Sequence, residues 1–209
     1  MIKVSYVEIS QKDKSRIEVA LPIWLQEVRE LLPQVPEVIE VIFDNQYLIK
    51  ITGTGGFALD KDKIALAFDP AFTNKNLQFN NLRGSFYHEC FHLVQGWVGG
   101  VAGGEISAIE DALMEGSATV FERERTGTKP PWSDYSDIKN IDEKLATIKE
   151  LGANYDWQKW KFYDPETNTR WILYKVGVYL TEKILDNNPE LTIEDVAGMK
   201  VAGMLDAAD

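Results

Sequence analysis

Ser85-Phe86-Tyr87-His88-Glu89-Cys90-Phe91-His92-Leu93-Val94-Gln95 decides how this chain is read. It contains His88-Glu89-Cys90-Phe91-His92, an H-E-x-x-H motif wrapped in apolar residues, as a buried helix shows. A helix turns about 100° per residue, so positions four apart project from nearly one face. His88 and His92 therefore present two imidazoles one turn apart, suited to gripping one metal ion. Glu89 follows the first imidazole and overhangs the open position, where a carboxylate can take the proton of an attacking water. The chain has two histidines, and both fall in this motif. Cys90, the single cysteine, is read as core packing and not as a further ligand, and one cysteine excludes an internal disulfide.

Moving outward, the motif helix is expected from near Asn74 to Trp97, stopped by Gly96 and by a loop carrying Gly99, Gly100, Gly103 and Gly104. A second long helix is expected over residues 105–125. A catalytic zinc site takes three protein ligands and keeps one position open. The second helix offers Glu110, Asp111 and Glu115, and Glu115 stands out in Leu113-Met114-Glu115-Gly116-Ser117-Ala118. The small residues after it allow close packing on the motif helix. Asp111, one turn earlier, suits the outer N–H of a ligating histidine, with Glu110 the alternative. Two histidines and a carboxylate suit zinc.

Upstream, residues 2–9 read as a strand and 15–32 as an amphipathic helix with Pro22 as its start or a kink. Residues 38–43, 47–52 and 64–68 read as strands, making a small meander before the motif helix. The run Thr52-Gly53-Thr54-Gly55-Gly56-Phe57 lacks a following Gly-Lys-Ser/Thr and opens no helix, which excludes a phosphate loop. It reads either as a tight turn or bulge beside an edge strand, or as an edge that takes an extended peptide. Downstream, residues 136–151 read as a helix, 155–170 as irregular and aromatic, and 169–185 as an apolar helix. A last short helix is capped at Thr192.

Net charge is −11 over 209 residues, with 44% hydrophobic residues. This composition suits a globular core and argues against nucleic-acid partners and an anionic membrane surface. No signal-like opening and no spanning apolar run occurs in the sequence, so a cytoplasmic protein is the expectation.

The pattern His88-Glu-x-x-His92 with Glu115-Gly-x-Ala118 resembles the gluzincin branch of zinc metallopeptidases, which includes thermolysin-like enzymes and M1-type aminopeptidases. The resemblance implies that His88, His92 and Glu115 hold zinc and that Glu89 is the general base. Met114 stands where that branch often has Asn, and the interval to Glu115 is longer. Tyr174-Lys175-Val176-Gly177 is similar to a Tyr-x-x-Gly of the M1 type, which implies that the Tyr174 phenol stabilises the oxyanion. Tyr179, Tyr163 and Arg170 are weaker candidates for that role. The amine-binding glutamate of the aminopeptidases has no counterpart in Gly55-Gly56-Phe57-Ala58-Leu59, which favours endopeptidase action. The outline is similar to that of small predicted bacterial zinc-dependent proteases.

The expected architecture is thus a single α+β, zincin-like domain over residues 1–209. Residues 1–73 supply a helix and a small mixed or antiparallel sheet packed on the motif helix. Residues 74–209 are mainly helical and carry the site. The expected activity is zinc-dependent hydrolysis of a peptide or protein substrate. The alternatives are a zinc- or peptide-binding module without catalysis, and hydrolysis of a non-peptide amide or ester.

Overall fold

Parallel strands need a long crossover between them, and the chain supplies one at its start. In the computed structural model, which describes residues 1–6, 9–99 and 106–208, β1 (Ile2–Ser5) is followed by helix α1 (Gln11–Leu31) and by β2 (Ile39–Phe43). The two strands pair in parallel with Val4 opposite Val41. Helix α1 begins earlier than the apolar spacing predicts, because the Ser10 side chain accepts a hydrogen bond from the Asp13 N–H and caps it. It continues across Pro22. Ile17, Leu21, Leu25 and Val28 form its buried stripe.

β3 (Thr54–Asp60) and β4 (Lys63–Phe68) form an antiparallel hairpin, and β4 also pairs in parallel with β2. The order is β1-β2-β4-β3, a mixed four-stranded sheet with β3 at one edge. The strand expected over residues 47–52 is not formed. Asp44 caps a 3-10 turn at Asn45–Tyr47, and Ile49 alone makes a bridge, to Thr54. A short polar lead-in lets the local cap win over strand pairing. The glycine run does not form a loop: Gly55 and Gly56 lie inside β3, Gly53 takes the left-handed turn position at φ 69°, and a register shift falls between Ala58 and Asp60.

Helix α2 (Lys75–Gln95) carries the H-E-x-x-H motif. The Asn74 side chain caps its first turn and Gly96, at φ 70°, closes its last. Residues 86–93 are all buried, so this part of the helix is covered on every side, Cys90 included. Arg83 and the Tyr87 hydroxyl both donate to Glu27, at 3.0 and 2.7 Å, tying α2 to α1.

These elements form one compact unit, Met1–Gly100, and the remaining chain forms a second, Val101–Asp209. The second unit contains α3 (Ala108–Thr126), α4 (Ile141–Glu150), α5 (Trp157–Lys161), the short hairpin β5 (Tyr163–Asp164) and β6 (Thr169–Arg170), and α6 (Ile172–Asn187). Helices α7 (Ile193–Ala197) and α8 (Val201–Ala208) follow. Helices α3 and α6 pack backbone against backbone. A Cβ built on Gly116 would lie 2.0 Å from the Gly177 carbonyl carbon, and one on Gly177 would lie 1.9 Å from the Ala112 oxygen. The small residue after Glu115 thus serves a close approach to Gly177 of α6. The helix expected over 136–151 covers only Ile141–Glu150, and the aromatic stretch expected to be irregular holds α5 and the hairpin. The α+β class is as expected. The expected glycine loop, beyond Gly99, lies outside the described residues. Among the described residues no helix is long and apolar enough to cross a membrane.

Candidate metal centre

The register of α2 does what the motif spacing requires. His88 and His92 are both buried, and their Nε2 atoms lie 3.1 Å apart. Two zinc–nitrogen bonds of about 2.0–2.1 Å at a tetrahedral angle put their nitrogens about 3.3 Å apart, so the pair is spaced as two ligands of one ion. The tautomer of His92 is set by its own helix. Its Nδ1 lies 2.7 Å from Gln95 Oε1, an oxygen that only accepts, so the proton sits on Nδ1 and the Nε2 lone pair faces His88. The outer nitrogen of His92 is therefore met by an amide at the end of its own helix.

Glu89 is buried between these histidines in sequence and against the sheet in space. A Cβ on Gly56 would lie 2.6 Å from both Cγ and Oε1 of Glu89. Only glycine lets β3 run so close to the carboxylate. The glycine run therefore fixes Glu89 beside the backbone of an edge strand. Cys90 faces away into the core, and burial, first, then the neighbouring Glu89 charge push its thiol far above its ordinary range. It is inert as a nucleophile or ligand.

In the second unit Glu115 and Asp111 sit one turn apart on α3, both buried. Lys161, at the end of α5, spans them: its Nζ donates to Glu115 Oε1 and to Asp111 Oδ1, each at 2.9 Å. The Tyr155 hydroxyl donates to the other oxygen of Asp111. Burial alone would lower the Lys161 pKa, but Glu115 and Asp111 outweigh it and hold the ammonium charged well above its ordinary range. One cation between two carboxylates makes the burial of this acidic pair tolerable. A carboxylate has about four lone-pair sites, so an ammonium on one oxygen of Glu115 leaves its capacity as a metal ligand intact. Glu110 serves otherwise, accepting from the Ser107 N–H at 2.8 Å in the capping box that starts α3.

Tyr174 stands on the first turn of α6, half-buried, with its ring 5.9 Å from that of Trp132 and the Lys161 ammonium 5.7 Å from its centroid. The weaker candidates have other uses. The Tyr179 hydroxyl donates to Asp142 at 2.7 Å, the exposed Tyr163 donates to Asn168, and the Arg170 guanidinium lies over the Tyr163 ring.

Gln95, Gly56 and Lys161 are site neighbours to which motif and spacing assign no role. Gln95 has a signal, its place three residues after His92. Gly56 has half of one, in the glycine run. Lys161 has none, since only the fold of residues 155–170 brings it under Glu115.

A mixed sheet, an edge strand and a buried H-E-x-x-H helix define an α+β fold of the zincin-like kind. The chain belongs to the family described as Predicted Zn-dependent protease (DUF2268), which matches residues 16–206. No curated protein and no solved structure matches it.

Proposed function

We propose that this chain is a zinc-dependent endopeptidase in which His88, His92 and Glu115 hold the metal and Glu89 is the general base. The observation that carries the proposal is the arrangement on α2. Two imidazole nitrogens stand 3.1 Å apart, with the intervening carboxylate pressed against Gly56 of an edge strand. The ligand set of two imidazoles and one carboxylate, all buried, suits zinc, and the gluzincin pattern supplies Glu115 as the third ligand. Zinc held there contributes Lewis acidity and makes a water acidic enough to lose its proton near neutral pH.

The protein's own groups do the rest. An extended substrate adds by main-chain hydrogen bonds to the outer edge of β3 at Gly56, which carries its backbone past Glu89. Gly56 lies between Thr54 and Ala58, whose carbonyls accept from the Ile49 and Gly99 N–H groups. Glu89 accepts the proton of the attacking water and delivers it to the leaving amine. The Tyr174 hydroxyl donates to the developing oxyanion. Gln95 keeps the His92 proton on Nδ1, and Lys161 holds Glu115 in place. The strand edge favours a peptide over a small closed-pocket amide, and the lack of an acid in β3's glycine run favours internal cleavage over amino-terminal trimming. The two compact units act, in this reading, as one catalytic domain, and the place of action is the cytoplasm.

The proposal is tested by metal removal. Incubation with a strong chelator is expected to abolish hydrolysis of an unfolded protein substrate, and added zinc to restore it. Hydrolysis that survives complete chelation contradicts a metal-dependent mechanism.

A further inference from the structure

A cavity of about 640 Å³ opens at the amino-terminal end of α6. Its lining is cationic, although the chain as a whole carries 33 acidic against 22 basic residues. Lys139, Lys144, Arg170 and Lys175 contribute four positive charges, and Asp137 one negative charge. Among the described residues none of Lys139, Lys144 and Arg170 enters a salt bridge; Lys144 and Arg170 lie over aromatic rings instead.

Lys175 is the most telling of the four. Its side chain is 5% exposed, yet its counterion Asp137, at 2.5 Å, is 62% exposed. A buried ammonium costs several kcal/mol unless it is compensated. Here the compensation comes from a carboxylate that reaches in from the surface. The amino-terminal end of α6 adds positive potential of the same sign, since Trp171 caps it without a side-chain hydrogen bond. The cavity also adjoins the chemistry, because Trp171 and Lys175 flank Tyr174 on α6 and Tyr174 lies against Lys161, which holds Glu115.

We propose that this cavity is a substrate subsite for an acidic stretch of peptide, with Lys139, Lys144 and Arg170 receiving its carboxylates. The inference rests on the peptidase reading above and deepens it by naming the substrate class. Size separates a peptide from a lone ion: several hundred Å³ is the volume of a ligand site and exceeds what a single inorganic anion fills. Arg170 presents a planar fork matched to a carboxylate, and the Trp171 indole offers an apolar surface for the rest of a side chain.

The test uses the full chain with Glu89→Gln, so that peptide is bound and not consumed. A short fluorescein-labelled peptide rich in glutamate, and its glutamine twin, are titrated by fluorescence anisotropy. The glutamate peptide is expected to bind roughly tenfold tighter. Lys139→Glu/Arg170→Glu, both on exposed side chains, is expected to remove that preference. Equal affinities for the twins, or a preference that survives the double charge reversal, overturn the proposal. Displacement of the peptide by inorganic phosphate at concentrations no higher than the peptide's own identifies a small-anion site and also overturns it. Parallel cleavage assays on the chain with Glu89 intact separate this inference from its parent. Glutamate-selective binding without cleavage contradicts hydrolysis and supports the cavity. Cleavage with no preference for glutamate contradicts the cavity and leaves hydrolysis standing.

Discussion

Glu89→Gln is expected to retain zinc and to lose turnover by about 10²–10⁴-fold, the usual contribution of a general base. The substitution isolates proton transfer because the two side chains have nearly the same shape. Glutamine fits the same slot against Gly56, where the existing approach already leaves no room for a Cβ. It also leaves His88 and His92 with their spacing and His92 with its Gln95 partner. An amide does not accept the proton of the attacking water near neutral pH, so the loss falls on kcat. Peptide hydrolysis by purified variant and parent, each with its zinc content measured, checks the expectation. A zinc-loaded Glu89→Gln chain with parental turnover removes Glu89 from the mechanism.

Gly177→Ala carries the largest expected effect on stability. The new methyl carbon would sit 1.9 Å from the Ala112 oxygen and 3.0 Å from the Gly116 Cα. Both neighbours are helix backbone, so neither turns aside as a flexible side chain would. Helices α3 and α6, which pack on one another, must separate, and each carries buried residues near this point, Ala112 and Leu113 on α3 and Leu173, Val176 and Leu180 on α6. Overpacking of this kind costs typically 1–3 kcal/mol and occasionally more. With backbone on both sides the expected loss is about 3 kcal/mol, or roughly 6–12 °C in Tm for a chain of this size. Thermal unfolding followed by circular dichroism reads it directly. An unchanged Tm contradicts the close helix–helix approach.

Features encoded by neighbouring residues are legible in the amino-acid sequence. The H-E-x-x-H helix announces itself by spacing, by Asn74 at its start and by Gly96 at its end. Helix α1 announces itself by period, and strand β4 by a short apolar run that ends at Asp69-Pro70. Pairing between distant segments is not legible in this way. Residues 38–43 and 64–68 have the composition of strands, but their parallel pairing depends on the α1 crossover and on which edges remain to be filled. The Tyr47–Thr52 stretch has strand composition too, yet the Asp44 cap and the Tyr47–Phe57 ring stack hold it in a turn. Residues 155–170 show no period because α5 and the β5–β6 hairpin are too short to display one, and Lys161 is hidden with them. Gly116 and Gly177 each belong to a recognisable motif, but their facing one another is a tertiary fact. For the site, both histidines and Glu89 are legible because one helix holds all three. The roles of Gln95 and Gly56 emerge only from distances.

Whether His88, His92 and Glu115 together hold one zinc ion is read from metal content. The parent chain and Glu115→Ala are loaded with zinc, freed of excess and analysed side by side. About one zinc per chain is expected in the parent, and its loss from the variant, since one of three protein ligands is removed. A parent chain that retains no zinc, or a Glu115→Ala chain that holds it as tightly as the parent, means that these three residues do not form a zinc site.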